Sequence, residues 1–454
     1  MQKNEIKKAL FSVGIPVAVQ NLISSSLNLI DTAMVSYVSE EALAAVTLAN
    51  QVFFLMTLVT FGISSGSGAF LSQFTGKDDA ENTKRTVSAT LLISGSVGIV
   101  SMFLASFFGR EIMGLLIRDA HVISLGTRYL HRIAPSYLFS TLALTLMIAA
   151  RSVGKAGIAM TATFLAVVLN IVLDYLLIFG AFGFPQMGVE GAAIATSIAR
   201  IFEFALMMFL IFRFESRLLP GKRHFQTLNK GFIFALLQHS LPVVMSESFW
   251  AMGIVLYTVF LAHIGQGAVS AFQVSRNLYN FFDVAFFGLA SATSYLIGVS
   301  IGKGRTKSAK KIASLMMKYN LFASLGFSVL IFLLSPGLLR LYNLTPQTYE
   351  TALSMIRIFG GFMFIKNTTL IFSVGIARGG GDTRYAMFAD TIGVWGVGVP
   401  IVFISVFILK LDPVTVIFLL QTEEIVKFVF CIARLKNHRW IHDLTTRFED
   451  KSIA

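Results

Sequence analysis

The chain is 454 residues long, 55% hydrophobic and only 13% charged, with a mean hydropathy of +0.74 and a formal net charge of +13. A soluble protein of this length carries roughly twice that charged fraction, so a water-soluble globular fold is excluded and an all-α polytopic membrane protein is expected. The basic excess taken alone suggests a nucleic-acid partner, but it lies in the short connections between apolar segments, which excludes that partner in favour of a bilayer.

Twelve spans are predicted, at about 10–37, 43–71, 87–108, 127–149, 157–182, 188–212, 231–263, 267–297, 312–335, 351–377, 385–409 and 414–434. Each approaches or exceeds the roughly 20 apolar residues that cross a bilayer as a helix. The first lacks a small-residue cleavage site and is expected to be retained. A carboxylate at mid-span costs about 2.5–3.5 kcal/mol, so each acid within a span needs a reason. In span one, Asp31 shares a helix face with Asn28, Ser24 and Asn21 or Gln20, a polar stripe that should face protein or water rather than lipid. In span five, Asn170 precedes Asp174 by one turn and can hydrogen-bond its carboxyl. Two carboxyls brought together in such surroundings would share a proton.

Later acids read differently. Arg200 and Glu203 in span six are spaced as a helix-face ion pair, as are Glu423 and Glu424 with Lys427 in span twelve. Glu247 in span seven could meet a cation, and Asp283 and Asp390 have no partner nearby in sequence; these three are candidates for a substrate or second cation site. The lone Cys431 excludes an internal disulfide and reads as a buried structural thiol. Among 43 Phe and 17 Met, a subset lining a cavity would suit flat, apolar cations.

With the N-terminus placed in the cytoplasm, 25 Lys and Arg fall in connections on that side and 4 on the other. This asymmetry predicts that both termini are cytoplasmic. The chain also repeats itself. At an offset of 226, Pro16 falls on Pro242, Ala42 on Ala268, Ala45 on Ala271, Gly62 on Gly288, Ser65 on Ser291 and Lys84 on Lys310. At 227, Ala150-Arg151-Ser152-Val153-Gly154 is answered by Ala377-Arg378-Gly379-Gly380-Gly381, each read as a tight turn between spans. Six spans per copy means that both copies cross the bilayer in the same direction, as two parallel lobes, 1–224 and 225–454. The acids do not follow the repeat: Asp31 stands opposite Tyr257, and Glu247 opposite Asn21.

Several short runs, in order along these twelve spans, resemble the multidrug and toxic compound extrusion (MATE) family, and more closely its DinF-like kind. They are Asp31-Thr32-Ala33-Met34, Ala42-Leu43-Ala44-Ala45, Ser72-Gln73, Asn170 with Asp174, Gly191-Ala192-Ala193-Ile194-Ala195-Thr196, Trp395 with Gly398-Val399-Pro400, and Glu424-Ile425-Val426-Lys427 before Trp440. The resemblance implies two six-helix lobes in a V, and a monomer in the cytoplasmic membrane of a prokaryote. It implies export of organic cations or drugs in exchange for H⁺ or Na⁺, with no enzymatic activity and no cofactor. It places a cation pocket at Asp31, Asn170 and Asp174, where Na⁺ could bind, and on looser matching adds Tyr137 and Thr196. NorM-like members use a span-seven acid in the second lobe, but Glu247 stands only five residues after Pro242, which departs from that pattern. A flippase for a lipid-linked sugar or peptidoglycan precursor is the alternative; it would need a basic cavity, for which Arg128, Arg132, Arg357 and Lys366 are the candidates.

Overall fold

The computed structural model describes residues 3–448, and among them it is helical throughout, with no strand. Eleven helices are long and apolar enough to cross a membrane. They are α1 (Asn4–Ser36), α2 (Glu40–Lys77), α3 (Ala80–Phe107), α4 (Ala120–Ser152), α5 (Ala156–Phe179), α6 (Gly188–Phe214), α7 (Lys230–Ala262), α8 (Gln266–Gly302), α9 (Thr306–Leu339), α10 (Pro346–Gly380) and α11 (Thr383–Ile408). The twelfth, α12 (Pro413–Asn437), is of similar length but carries Glu423, Glu424 and Lys427 in its middle. Its polarity is tolerated because these side chains bond within the protein rather than face lipid.

Helix starts follow the capping chemistry of the sequence. Asp79, Asp119 and Asp412 accept backbone N–H groups at the starts of α3, α4 and α12, and Thr345 does so for α10, where Pro346 occupies the first turn. The α1 helix begins earlier than hydropathy predicts. Its first turns are amphipathic: Lys7 and Lys8 are exposed, while Ile6 and Ala9 are buried in a core with Leu296, Ile301 and Trp440. Short π-helical turns interrupt α1 at Leu10–Gly14, α10 at Ile371–Ala377, and α11 at Ile392–Gly398 and Ile404–Ile408. Those of α11 flank Pro400, whose missing N–H breaks the regular ladder.

The repeat is visible in the backbone. Gly154 and Gly381 take the same left-handed conformation, with φ of 84° and 81°. Each turn is closed by the same bond, Lys155 N–H to Ala150 O and Asp382 N–H to Ala377 O, both 2.8 Å. A Cβ is strained at such a φ, so glycine at both positions is required by the turn.

The described chain forms two compact units. The N-unit comprises Val19–Leu71 and Asp78–Ser240; the C-unit comprises the described residues up to Ala18, Ser72–Lys77, and the chain from Leu241 onward. Sequence repetition suggested a division at residue 224, whereas the chain changes unit after Ser240, inside α7, and α1 and α2 each contribute to both. In the C-unit, Gln73 explains why the end of α2 belongs there: its Nε2 donates to His442 O at 3.0 Å and its Oε1 accepts from Leu444 N–H at 2.8 Å. The N-unit core joins Val35, Ala49, Met56, Tyr129, Ile133, Tyr137 and Ile178, with a second cluster around Leu146, Ala159 and Met207. The C-unit has a core of Tyr257, Phe272, Tyr279, Phe286 and Met363, and another around Ile297, Met316, Phe372 and Trp440.

Candidate functional site

Within the N-unit, α5 and α6 pack so closely that a Cβ on Gly191 would come within 2.5 Å of the Leu177 carbonyl. Small residues along Gly191-Ala192-Ala193 allow that approach, which sets the position of the polar face of α5. There Asn170 Nδ2 donates to Asp174 Oδ2 at 2.7 Å, and both residues are 1% exposed. The half-buried Asp31 of α1 reaches this face, and its carboxyl lies within hydrogen-bonding reach of Asp174. Oδ1 of Asp31 and Oδ1 of Asp174 are both buried without a donor. Two carboxyls therefore meet inside a membrane-spanning bundle, each with one oxygen unsatisfied. A single proton held between them supplies the donor both lack, because ionised carboxylates only accept.

The surroundings are aromatic, with one base. Tyr137 of α4 is fully buried, with its ring 5.8 Å from Phe53 and its hydroxyl without a partner. Tyr129, two turns earlier, feels the charge of both acids and donates to Asn50 Oδ1 at 3.3 Å. Thr196 stands half-buried on α6, one turn before Arg200. Among the described residues no hydrogen bond joins Tyr137 or Thr196 to the carboxyl pair, so the structure brings Asp31, Asn170 and Asp174 into one contact and leaves those two at its margin. Arg200 and Tyr129, which sequence reasoning did not assign to this site, lie in its electrostatic field. Only the Arg200–Glu203 spacing was legible, and it forms at 2.8 Å.

The acids of the C-unit are arranged differently, because each faces a base or a donor. Glu247 accepts from Arg378 Nη2 at 2.5 Å. Asp283 faces Lys366 Nζ at 3.7 Å, and that ammonium also sits 4.0 Å from the Tyr279 ring centre. Asp390 accepts from Ser246 Oγ at 2.9 Å and feels Glu247, Lys427 and Arg378. Lys427 bridges Glu423 and Glu424, and the other Glu423 oxygen accepts from Tyr257 Oη at 2.6 Å. Glu247 and Asp390 thus share one polar cluster, which Lys427 joins through Glu424 to Asp283 and Lys366.

The MatE family model matches residues 16–176 and again 242–404, starting each time at the repeated proline. The chain belongs to the MatE family. It is a multi-spanning membrane transporter and not an enzyme. The chain is 25% identical over 407 residues to the "Probable multidrug resistance protein NorM" of Thermotoga maritima, covering 88% of this chain and 86% of that one. It is 26% identical over 443 residues to the "Uncharacterized transporter YisQ" of Bacillus subtilis, covering 95% of both. Among solved structures, "Outward-facing conformation of a multidrug resistance MATE family transporter of the MOP superfamily" matches with a TM-score of 0.85 at 20% identity, over 95% of this chain and 96% of that one. That likeness concerns the fold.

Proposed function

We propose that this MatE-family transporter exports organic cations or drugs across the cytoplasmic membrane, as a monomer with both termini in the cytoplasm, in exchange for a proton taken at the Asp31–Asp174 pair. The observation that carries this reading is the contact of two carboxyls whose Oδ1 atoms both lack a donor. Asn170 holds Asp174 in place and leaves its second oxygen free for the pair. Loading the pair removes negative charge from the N-unit, which lowers its affinity for a cationic substrate and releases that substrate outward; loss of the proton to the cytoplasm resets it. Drug export is supported by the names of relatives such as the Thermotoga maritima protein. Na⁺ at the same three residues is the alternative coupling ion. The C-unit acids support a structural role, since each faces a base or a hydroxyl: Arg378 for Glu247, Lys366 for Asp283, Lys427 for Glu423 and Glu424, and Ser246 for Asp390.

A flippase is less well supported. Its basic cavity would draw on Arg128 and Arg132, which both bond Glu190 at 3.3 and 3.1 Å, and on Lys366, which faces Asp283.

The deciding experiment reconstitutes the full chain in proteoliposomes and follows ethidium transport, with a pH gradient and a Na⁺ gradient imposed separately. Transport driven by the pH gradient alone is expected. Transport driven only by Na⁺ would transfer the coupling to that ion, and indifference to both would overturn the antiport reading.

A further inference from the structure

The turn between α8 and α9 is the second copy of the turn between α2 and α3, and the two differ in charge. At the offset of 226, Lys77-Asp78-Asp79-Ala80-Glu81 falls on Lys303-Gly304-Arg305-Thr306-Lys307, and Lys84-Arg85 on Lys310-Lys311. The first stretch has three bases and three acids; the second has five bases and no acid. The backbones agree, since Asp78 and Gly304 both take a left-handed φ, of 58° and 69°. Within the N-unit each acid of the first copy has a partner. Asp78 accepts from Arg217 at 3.1 Å, Glu81 lies 3.3 Å from His224 Nε2, and Asp79 caps α3. Arg85 donates to Thr227 O at 3.0 Å and lies over the Phe232 ring. Residues from Arg217 to Phe232 thus cover that turn, and Lys84 and Arg85 are half-buried.

Among the described residues nothing covers the second copy in this way. Lys303, Arg305, Lys307, Lys310 and Lys311 are all exposed, as is Lys318 two turns further along α9, and no carboxylate pairs with any of them. The chain has no Asp or Glu between Asp283 and Glu350. The first turns of α1 add to this charge. Ile6 packs into the same core as Ile301, Ile312 and Ala313, and the exposed Lys7 and Lys8 follow it, with Glu5 as the acid there. Topology does not require the excess. Six spans separate the two turns, so both belong to the same side of the bilayer, and the first is neutral.

One face of α9 shows what this charge meets. Lys307, Lys311 and Lys318 line up at helical spacing with Phe322, Leu325 and Val329, and these three apolar side chains are 71%, 54% and 58% exposed. On a membrane-spanning helix an exposed apolar face meets lipid. The stripe therefore runs from acyl chains at Val329 to a basic end at Lys307, which puts its lysines at headgroup level. Lys318 stands about 10 Å further along the axis than Lys311, and its flexible stem returns the ammonium toward the headgroups. The first copy carries Glu81, Arg85 and Leu92 at the places of these lysines. A soluble acidic partner would meet the turn and not the stripe, whereas a phospholipid meets both. We propose that the α8–α9 turn and the face of α9 bearing Lys307, Lys311 and Lys318 form a docking surface for anionic phospholipid headgroups, with an acyl chain lying along Phe322 and Leu325. Lysines near an anionic leaflet are attracted to it individually, and their clustering adds these attractions at one place. The surface belongs to the C-unit and the carboxyl pair to the N-unit, so it holds whichever ion drives transport.

The test takes the full chain in neutral detergent, adds dioleoylphosphatidylglycerol and dioleoylphosphatidylcholine in equal amounts, and counts the retained lipids by native mass spectrometry. The acyl chains are identical, so the ratio reads the headgroup. The native chain is expected to retain phosphatidylglycerol in preference. Lys311→Gln combined with Lys318→Gln is expected to lower that preference about tenfold, and Lys307→Glu, which puts the first copy's acid on the stripe, is expected to lower it as well. Lys222→Gln combined with Arg223→Gln removes the same charge from two exposed residues of the α6–α7 connection and should leave the preference native. Melting temperatures in detergent without lipid confirm that each variant is folded. A native preference in the stripe variants would overturn the proposal, and so would an equal loss in the Lys222→Gln, Arg223→Gln control, which would reduce the effect to net charge. Inorganic phosphate is then compared with chloride at the same ionic strength. Equal retention of phosphatidylglycerol in both supports a lipid surface, whereas release by phosphate alone would overturn it in favour of a free-anion site.

Discussion

Tyr257 donates a 2.6 Å hydrogen bond to Glu423 in the C-unit, and the residue that occupies its place in the first repeat is Asp31. One position of a shared helix frame thus holds a neutral donor in one copy and a carboxyl in the other. The consequence is opposite charge accounting. In the C-unit the acid near this position meets a lysine; in the N-unit it meets a second acid.

Replacing either member of the carboxyl pair should uncouple transport. Asp31→Asn and Asp174→Asn are each expected to abolish the gradient-driven component of ethidium transport while leaving the protein folded, because an amide fits the same space and supplies the missing donor. Full coupled efflux in Asp31→Asn vesicles would rule out the site.

Asn170→Ala removes the 2.7 Å bond to Asp174. A hydrogen bond to a charged group contributes about 1.5–3 kcal/mol. The variant should therefore unfold at a lower temperature in detergent and respond to pH differently from the native protein. An unchanged pH profile would show that Asn170 only packs.

The C-unit should respond through stability. Lys427→Met leaves the buried Glu423 and the half-buried Glu424 without their shared cation, at a cost of about 3–5 kcal/mol. Tyr257→Phe takes away one neutral donor and should cost about 1 kcal/mol while transport persists. Thermal unfolding of the two variants side by side reads this difference. A Lys427→Met protein as stable as native would mean that the cluster is not neutralised as its geometry indicates.

Packing between α5 and α6 offers a separate check. A Cβ on Gly191 falls 2.5 Å from Leu177 O, so Gly191→Val must push α6 off the helix that carries Asp174. Overpacking of this kind costs about 1–3 kcal/mol. Transport should fall together with the melting temperature, whereas Gly157→Ala, where a Cβ meets nothing within 4 Å, should change neither.

Outside the spans, Asp412 caps α12. The Thr415 hydroxyl, foremost, and then the Thr415 and Val414 amides hold its carboxyl below the ordinary range. A depressed folded value adds stability above the unfolded pKa of about 3.9 and loses it as pH falls through the folded value. Asp412→Ala should thus cost about 1 kcal/mol at neutral pH, and the gap in melting temperature from native should close as pH drops below about 4. A gap that stays constant with pH would show that the cap acts without its charge.

Much of this was legible along the chain because it depends on neighbours in sequence. Asn170 with Asp174, Arg200 with Glu203 and Lys427 with its two glutamates sit three or four residues apart, and all form. Partners from other helices were not legible. Asp283 takes Lys366, Asp390 takes Ser246 and Glu247 takes Arg378, and hydropathy carries no record of which helix faces adjoin. The start of α1 was missed because Lys7 and Lys8 mask an amphipathic turn whose Ile6 and Ala9 are buried.

By itself the sequence determined the membrane class, the twelve helices, their caps, and the repeat that returns in the matched turns at Gly154 and Gly381. These follow from apolar length and local backbone chemistry, which need only a residue and its near neighbours. The tertiary structure alone decided which buried acids are neutralised. Removing a charge from water is offset only by a specific partner a few ångströms away, and helix packing brings Lys366 to Asp283 and Arg378 to Glu247 but Asp174 to Asp31.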